Sequence, residues 1–497
     1  MAIAVPTSEQ TSRYTSQPRQ LLIDGEMVDA ADGGTFETID PGTGQVLTTA
    51  AHGKAEDVDR AVKAARRALD GPWKTMTPSE RGRVIHKLGD LIAENLDELA
   101  EIDSLDNGKA KTVAAAADVP LAADLFWYMA GWATKLKGST VRPSLPYIPG
   151  GEFHAYTVKE PVGVVAQIIP WNFPLLMAAW KVGPALATGC TIVLKPAEQT
   201  PLSAIRLGEL ALEAGIPPGV LNVITGYGDA GAALAEHPDV DKVAFTGSTE
   251  VGKLIAQAAG RTNLKRVSLE LGGKSPNIVL DDADVAAAIA GSAQGIFFNQ
   301  GEVCTAASRL YIHQNLFDEV VEGVSRAAEA IKVGHGLDPD TEMGPLVSSE
   351  QFDRVTNYLK VGPEQGARAT TGGAAIDGPG YFVQPTVFVD ATNDQRIIQE
   401  EIFGPVVAAM PFADVDDLAA KANDSVYGLA AGIWTKDLSK AHKLAARIKA
   451  GTVHINTYHI YDAALPFGGY KQSGWGREMG EEVLSAYQET KSVVVQL

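Results

Sequence analysis

The chain of 497 residues is longer than one hydrophobic core usually supports, so we expect at least two domains. Its formal net charge of −19 at pH 7 argues against a nucleic-acid partner, which would need a basic surface to displace phosphate counterions. Two cysteines cannot form a disulfide framework, and the sequence has no CxxC or HExxH motif. We therefore expect a reducing, cytoplasmic location.

The N-terminal residues 1–19 lack the apolar core of a secretory signal, and we expect a flexible N terminus. Their serines, threonines and two arginines also resemble, faintly, a transit peptide. Residues 161–180 carry no formal charge over about the length of a spanning helix. Because three prolines interrupt this stretch, it predicts a strand, a turn and the start of a helix, and no membrane partner is expected.

The first strong helix signal begins at Thr77. Thr77, Pro78 and Glu80 form the pattern of a capping box with proline in the first turn, and apolar residues follow at helical spacing. From residue 163 helical segments alternate with short β-branched runs, which are GVVAQII, TIVLK, LNVIT and KVAFT. Strands that alternate with helices predict βαβ units, a parallel sheet and right-handed crossovers.

The alternation resumes after residue 273, which predicts a second α/β unit. Residues 139–160 are extended and broken by prolines, and residues 487–497 end in KSVVVQL, whose valines would form an exposed edge unless paired. We expect these two segments to pair between subunits, with two edges inside one chain as the alternative. The predicted fold class is α/β, with two doubly wound (Rossmann-like) α/β domains and a small β oligomerisation arm.

A glycine-rich turn, FTGSTEVG in residues 245–252, separates a predicted strand from a helix. It would present backbone N–H groups and a helix N terminus to an anion. Such turns are also common structural devices, and the spacing differs from the usual dinucleotide fingerprint.

One of the two cysteines lies in an unusual context. Cys304 follows the polar, turn-forming segment 299–302, which can leave its side chain accessible. Cys190 opens an apolar run and is interpreted as part of the core. Spacing alone would make Cys304 structural as well, so its role depends on the rest of the chain.

A series of motifs occurs in one order over more than 300 residues, namely IIPWNFPL, KPAEQTP, FTGSTEVG, LELGGKSP, NQGEVCTA, EEIFGPV and PFGGYKQSGWGRE. They resemble the NAD(P)-dependent aldehyde dehydrogenase superfamily, in its broad-specificity branch, and the resemblance covers nearly the whole chain. The stretches GGEFHAYTVKEPVGVV and DAALPFGGYKQSG resemble the bacterial phenylacetaldehyde dehydrogenase group. The resemblance implies an NAD-binding domain, a catalytic domain and an arm, with the ranges 20–138 and 161–272, 273–472, and 139–160 and 487–497 respectively.

The resemblance implies a nucleophile, a base and an oxyanion donor. Cys304 matches the nucleophile, whose thiolate would add to an aldehyde, so its surroundings must favour ionisation. Asn172 matches the side-chain donor to the oxyanion, with the Cys304 backbone N–H as the other. Glu270 matches the general base that activates water for thioester hydrolysis. Lys181 and Glu478 match residues that relay protons or support the site.

The implied cofactor is NAD rather than NADP. Lys195 and Glu198 match residues that hold the adenosine ribose, and a carboxylate there would repel a 2′-phosphate. Gly247 and Ser248 match the pyrophosphate turn at a helix N terminus. The other predicted cofactor contacts are Ile168, Trp171, Glu401 and Phe403.

The substrate tunnel implied by the resemblance is largely aromatic. Such a tunnel favours flat or apolar aldehydes through ring packing. We predict phenylacetaldehyde or another arylaldehyde as substrate, with a generalist for short aliphatic aldehydes as the alternative. The predicted pocket residues are Phe173, Met177, Trp180, Phe298, Val303, Thr305, His459, Tyr461 and Phe467, some of which could instead be ordinary core.

Other interpretations fit the sequence less well. No metal is expected, because no carboxylate or cysteine accompanies His454 and His459 at ligand spacing. A CoA-acylating enzyme would not need Glu270, an inactive relative would have lost Cys304 or Glu270, and an esterase would not need Lys195. The resemblance further implies a homotetramer, arranged as a dimer of dimers.

Overall fold

The computed structural model describes residues 7–497, and residues 1–6 lie outside the described part. The strands are β1 (Leu21–Ile23), β2 (Glu26–Val28), β3 (Thr35–Asp40), β4 (Gln45–Ala51), β5 (Thr140–Val141), β6 (Phe153–Pro161), β7 (Val164–Ile168), β8 (Thr191–Lys195), β9 (Leu221–Val223), β10 (Lys242–Thr246), β11 (Arg266–Glu270), β12 (Pro276–Val279), β13 (Arg309–His313), β14 (Arg368–Thr371), β15 (Thr386–Val389), β16 (Val406–Phe412), β17 (Ala430–Trp434), β18 (Thr452–Ile455), β19 (Gly474–Trp475) and β20 (Gln488–Gln496). The helices are α1 (Glu9–Thr15), α2 (Ala55–Leu69), α3 (Pro72–Thr75), α4 (Pro78–Glu94), α5 (Leu96–Asn107), α6 (Lys111–Val113), α7 (Val119–Trp132), α8 (Pro174–Thr188), α9 (Leu202–Ala214), α10 (Gly228–Glu236), α11 (Thr249–Arg261), α12 (Val285–Phe297), α13 (Phe317–Ala330), α14 (Ser349–Glu364), α15 (Arg396–Gln399), α16 (Val415–Asn423) and α17 (Leu438–Ala445).

The first sheet has the strand order β19-β11-β10-β7-β8-β9-β1-β2. Strands β7 to β11 run parallel, and α8 to α11 connect them in turn, which confirms the predicted βαβ alternation. Their apolar runs are buried because parallel strands are covered on both faces. At the carboxyl edge Ile168 lies in register with Lys195, and Thr246 with Glu270.

The second sheet has the order β14-β15-β16-β13-β12-β17-β18, and only β14 runs antiparallel to its neighbour. Two largely parallel sheets in one chain confirm the α/β fold class. After the second sheet the chain returns to the first through β19, where Gly474 pairs with Glu270. This return brings the C-terminal motif to the edge of the first sheet.

The third sheet joins the two extended segments within one chain. Strand β20 pairs antiparallel with β6 along its whole length, and β5 covers the other edge of β6. The two segments therefore pair with each other inside the chain, while pairing of the arm between subunits stays a prediction. The reason lies at their base, where the Val162 N–H donates to the Tyr487 carbonyl at 3.0 Å, so both segments leave the core side by side.

The N terminus differs from the flexible segment predicted for residues 1–19. Helix α1 is capped by Ser8, whose side chain accepts from the Thr11 N–H at 3.2 Å. Tyr14 is buried and donates to the Leu202 carbonyl at 3.1 Å. The prediction is wrong for this helix, because these contacts hold it on the core. For residues 1–6 the prediction falls outside the described residues.

Two local predictions are confirmed. Thr77 and Glu80 form the capping box of α4, with the Thr77 N–H donating to the Glu80 carboxylate at 2.8 Å. Residues 161–180 form the end of β6, strand β7, a turn and the start of α8. A different segment, Lys111–Trp132, is long and apolar enough to cross a membrane by length and composition alone. Its α7 part packs on α4 and α8, as the core helix of a folded domain does.

Candidate active site

A cavity of about 330 Å³ lies at the carboxyl edge of the first sheet, next to the turn before β13. Such an edge is where open parallel sheets bind ligands. The predicted residues that line it are Trp171, Asn172, Phe173, Met177, Trp180, Gly247, Ser248, Glu270, Phe298, Val303, Cys304, Glu401, Phe403, His459, Tyr461, Phe467 and Glu478. Predicted residues that do not line it are Ile168, Lys181, Lys195, Glu198 and Thr305.

Cys304 follows a stretch of left-handed backbone. The φ angles of Asn299, Gln300 and Gly301 are 48°, 56° and 70°. Gly301 is required here, since a Cβ would lie 2.2 Å from the Gly404 carbonyl oxygen. Gln300 adopts a conformation that costs about 1–3 kcal/mol for a residue with a side chain, so the buried surroundings must hold it. This strained backbone segment places the partly buried Cys304 at the cavity.

The surroundings of Cys304 do not favour the thiolate, contrary to the expectation from the sequence. Burial raises the pKa of the thiol well above its usual value, and the nearby carboxyl groups of Glu401 and Glu270 raise it further. Removing a charged sulfur from water is unfavourable, and two further negative charges add to that cost. The resting side chain is therefore a neutral thiol, and ionisation requires a proton acceptor within the site.

Asn172 is fixed by hydrogen bonds at both ends. Its backbone carbonyl oxygen accepts from Lys109 Nζ and from Asn299 Nδ2, each at 3.0 Å. Its own Nδ2 donates to the Glu302 carbonyl at 3.0 Å. An amide nitrogen has two hydrogens, so one N–H remains for the cavity. Asn172 is thus a rigid donor on the same wall as Cys304.

Glu270 lines the cavity, and we call the part that it lines together with Glu478 the inner side. It is buried, and its Oε2 has no hydrogen-bond partner among the described residues. Burial raises its pKa well above the usual value, and the charge of Glu478 acts in the same direction. The chain passes so close that a Cβ on Gly468 would lie 2.8 Å from Glu270 Oε1. A carboxyl group in this state can hold a proton near neutral pH.

Lys181 and Glu478 form a buried ion pair behind Glu270. Lys181 Nζ contacts Glu478 Oε1 and donates to Thr246 Oγ1, the latter at 2.6 Å. Glu478 Oε2 is buried without a partner in the described chain, and Glu478 lines the cavity. The Lys181–Glu478 pair therefore acts on Glu270 through its charges, with Glu478 raising and Lys181 lowering the pKa of that carboxyl group.

The residues predicted to contact a cofactor fall into two groups. Lys195 and Glu198 lie beyond the cavity lining, at the carboxyl end of β8, with Nζ and Oε2 3.4 Å apart. A Cβ on Gly231 would lie 3.8 Å from the Lys195 side chain and 3.9 Å from that of Ile168, so these residues meet under α10.

The second group borders the cavity itself. Ser248 caps α11 by accepting from the Val251 N–H at 3.2 Å. Glu401 Oε1 accepts from the Gly273 N–H at 2.8 Å, and burial raises the pKa of this carboxyl to about 7. The rings of Trp171 and Phe403 meet edge to face with centroids 5.2 Å apart. The first group could hold one end of an extended ligand and the second group the other.

The outer wall of the cavity is built of rings. Phe173 stacks on Phe298 with centroids 6.2 Å apart, and Phe298 lies 5.4 Å from His459. Trp180 packs edge to face on Phe467 at 5.1 Å and on Tyr461 at 6.3 Å. These rings and Cys304 line the same cavity.

Other residues that the sequence analysis assigned lie away from the cavity. Cys190 is fully buried, as predicted, and its Sγ donates to the Tyr487 carbonyl at 3.3 Å. Thr305 is fully buried and hydrogen-bonded to Tyr461 rather than exposed to the cavity. Within residues 7–497 no group of three His, Cys, Asp or Glu side chains is arranged to hold a metal ion.

The residues that support the site carry no signal in the sequence that identifies them. Lys109 holds the Asn172 carbonyl and pairs with Asp118, but a single lysine between helices carries no local signal. Gln351 donates to the Phe403 carbonyl and Arg354 to that of Glu401. The spacing of Gln351 and Arg354 places them on one face of α14, yet nothing local shows that this face borders a site.

The chain matches the model of the aldehyde dehydrogenase family over residues 27–493. It is 52% identical to the putative aldehyde dehydrogenase DhaS of Bacillus subtilis, over 100% of this chain and 99% of the relative. It is 49% identical to the mitochondrial aldehyde dehydrogenase of Homo sapiens, over 99% of this chain and 95% of the relative.

Solved structures are similar over the same length. An aldehyde dehydrogenase from Bacillus cereus, solved as an NAD+ complex, has a TM-score of 0.97 at 49% identity, covering 99% of both chains. Betaine aldehyde dehydrogenase from Staphylococcus aureus, also in complex with NAD+, has a TM-score of 0.94 at 41% identity, covering 98% of this chain and 96% of the other.

Proposed function

This chain belongs to the aldehyde dehydrogenase family, and from that premise we propose that it oxidises an aldehyde to the carboxylic acid with NAD. The preferred substrate in this proposal is phenylacetaldehyde or another arylaldehyde. One observation carries it: Cys304, Asn172 and Glu270 border a single cavity whose outer wall is aromatic.

The proposed reaction begins with proton transfer from Cys304 to ionised Glu270. The pKa of the thiol is raised by burial and by the carboxyl groups of Glu401 and Glu270, so a thiolate beside ionised Glu270 is unfavourable. Transfer to Glu270 moves the buried negative charge from the carboxylate to the sulfur, and the neutral carboxyl group no longer repels the thiolate. The sulfur can then bond to the aldehyde carbon, and the carbonyl oxygen becomes an alkoxide.

Two donors of this chain would stabilise that alkoxide. One is the Asn172 Nδ2–H that is not used by the Glu302 carbonyl, and the other is the Cys304 backbone N–H. Because Asn172 is fixed before the reaction, no reorganisation is needed as charge develops. When bound, NAD supplies the acceptor for the hydride that leaves the carbon. The acyl group then remains on Cys304 as a thioester.

Glu270 would also serve the hydrolysis of the thioester. Before hydrolysis Glu270 must lose the proton that it took from Cys304, and the neighbouring Glu478 and Lys181 offer a path for it. The Glu270 carboxylate then takes a proton from water while the water oxygen bonds to the acyl carbon and the C–S bond breaks, and this second proton passes to the departing Cys304 thiolate. The sum consumes one aldehyde and one water, and releases a hydride, a proton and the carboxylic acid.

The residues present fit NAD. Lys195 and Glu198 offer a cation and a carboxylate to the two ribose hydroxyls at the adenosine end, and the carboxylate disfavours a 2′-phosphate. The N terminus of α11, with Gly247 and Ser248 at the cavity, would hold the pyrophosphate. Glu401 and Phe403 would hold the nicotinamide end. NAD is therefore proposed over NADP.

The aromatic wall supports an arylaldehyde, and a generalist for aliphatic aldehydes is the alternative. The test compares kcat/KM for NAD reduction with phenylacetaldehyde and with propanal, and with NADP in place of NAD. A preference for the arylaldehyde of about a hundredfold, or ~3 kcal/mol of differential transition-state binding, is expected. Equal values would favour the generalist, and no reduction of either cofactor on folded protein would reject the proposal.

We further propose a cytoplasmic homotetramer formed as a dimer of dimers through the arm. Apolar side chains exposed on the arm support this assembly, among them Tyr147 and Val494, which are 76% and 62% exposed. The proposed NAD-binding domain comprises residues 20–138 and 161–272, the catalytic domain 273–472, and the arm 139–160 and 487–497. Light scattering on the purified protein would distinguish a tetramer from a dimer.

A further inference from the structure

Thr305, the residue after the proposed nucleophile, is held at both of its polar ends by one loop. Tyr461 Oη lies 2.6 Å from Thr305 Oγ1, and Tyr458 Oη donates to the Thr305 carbonyl at 2.8 Å. Thr305 is fully buried and does not line the cavity. These bonds therefore fix the chain next to Cys304 and cannot be contacts of Thr305 to a substrate.

The Gly295 carbonyl determines which group donates in each hydrogen bond between Thr305, Tyr461 and His459. His459 Nε2 lies 3.1 Å from the Gly295 carbonyl, and His459 Nδ1 lies 3.2 Å from Tyr461 Oη. Burial lowers the pKa of His459 to about 3, so the ring is neutral and carries one N–H. Because a carbonyl can only accept, Nε2 carries that hydrogen. Tyr461 then donates to His459 Nδ1, and Thr305 Oγ1 donates to Tyr461.

The chain of bonds closes on the nucleophile segment. The Gly295 carbonyl also accepts from the Ala307 N–H at 2.9 Å, and Ala307 lies two residues after Thr305. The backbone of this loop is constrained at His459, whose φ of 54° is a left-handed angle that is unusual for a residue with a side chain. Thr305, Tyr461, His459, Gly295 and Ala307 thus form a closed circuit around the turn that carries Cys304.

Tyr461 also belongs to the aromatic wall. Its ring lies 6.3 Å from that of Trp180 and 5.9 Å from that of Phe467, both edge to face. The hydroxyl and the ring of this residue therefore have separable tasks. The ring borders the substrate channel, while the hydroxyl is used entirely by Thr305 and His459.

We propose that Thr305, Tyr461 and His459 are positioning residues that hold the sulfur and the backbone N–H of Cys304 toward one point of the cavity. The inference rests on the proposed function only for the identity of Cys304 as the nucleophile. Small misplacements of a reacting group are costly, so loss of any bond of the circuit should slow the reaction of the sulfur.

The test uses variants that remove one hydroxyl and keep the shape. Thr305→Val and Tyr461→Phe each break the circuit, and Thr305→Ser keeps the hydroxyl. The first readout is the rate of iodoacetamide alkylation of Cys304 across pH, located by peptide mass mapping without aldehyde or NAD. The second is kcat and KM for phenylacetaldehyde. Tyr311→Phe is the matched control, because Tyr311 Oη donates to Asn393 Oδ1 at 2.8 Å, away from the cavity.

We expect Thr305→Val and Tyr461→Phe to lower both the alkylation rate and kcat about fivefold to tenfold, with KM within about twofold. The double variant should be no worse than either single one, because both remove the same connection. Thr305→Ser and Tyr311→Phe should behave as the wild type. Melting temperatures of all variants exclude a general loss of folding.

Three results would overturn the inference. A raised KM in Tyr461→Phe with unchanged alkylation would make Tyr461 a wall residue alone. Unchanged alkylation in folded Thr305→Val, or multiplied effects in the double variant, would show that no circuit acts on Cys304. A separate result concerns the proposed function alone. If alkylation is altered in the variants but the protein oxidises no aldehyde, the proposed function is rejected and the positioning role stays intact.

Discussion

The two sides of the cavity differ in the charge and the hydrogen bonding of their side chains. On the inner side Glu270 and Glu478 are buried, and each has a carboxylate oxygen without a partner in the described chain. On the outer side His459 and Tyr461 are neutral and fully hydrogen-bonded. Unpaired buried carboxyl groups cost stability and shift pKa values, which supports the proposal that these two groups carry the proton chemistry. In this proposal the rings of the outer side select the substrate, while the hydrogen bonds of Tyr461 and His459 position Cys304.

Replacing Cys304 by serine should have the largest effect. The hydroxyl is a much poorer nucleophile than the thiolate, and Glu270 would have no thiol to deprotonate. We expect NAD-dependent turnover to fall on the order of a thousandfold or more. Cys190→Ser is the control, because Cys190 lies in the core and its hydrogen bond to the Tyr487 carbonyl can be kept by a hydroxyl. Steady-state NADH formation measures both, and substantial turnover in Cys304→Ser would break the account.

Asn172→Ala should have the next largest effect. It removes one of the two donors to the alkoxide, and such a loss lowers kcat about a hundredfold to a thousandfold. Alkylation of Cys304 by iodoacetamide forms no alkoxide and should change little. If both rates fall together, Asn172 acts on the sulfur and the assignment of separate tasks needs revision.

Phe298→Leu should alter the outer side alone. It removes the ring that stacks on Phe173 at 6.2 Å, while an apolar side chain is kept. The ratio of kcat/KM for phenylacetaldehyde over propanal should fall up to about tenfold, the range of one aromatic contact. The kcat for propanal should stay within about twofold. A loss of kcat with both substrates would mean that the two sides are not independent.

Much of the fold was predictable because its signals are local. The alternation of β-branched runs and helical segments predicts the parallel sheets, and the Thr77 capping box predicts the start of α4. The pairing of β20 with β6 was not predictable, since it depends on where Val162 and Tyr487 leave the core. Contacts between distant segments have no pattern in either segment alone.

The site was predicted through its motifs rather than through its physics. The motifs brought Cys304, Asn172 and Glu270 to one cavity, but they did not show that burial and two carboxyl groups raise the pKa of the thiol. Nor did they show that Thr305 is held by Tyr461 rather than exposed. Burial and hydrogen-bond partners are properties of the folded surroundings, so they became visible only with the structure.

The most direct test of the central claim, that Glu270 completes the reaction begun by Cys304, is a single-turnover experiment on Glu270→Gln with phenylacetaldehyde and NAD. The account predicts a first turnover slowed by loss of the proton acceptor of Cys304, an acyl mass that remains on Cys304 because hydrolysis is slowed as well, and steady-state turnover lowered about a hundredfold or more. Because burial and the charge of Glu478 raise the pKa of Glu270, the wild-type rate should rise with pH as this carboxyl ionises, and the variant should lose that rise. Near-normal turnover with an unchanged pH profile and no acyl adduct would contradict the account.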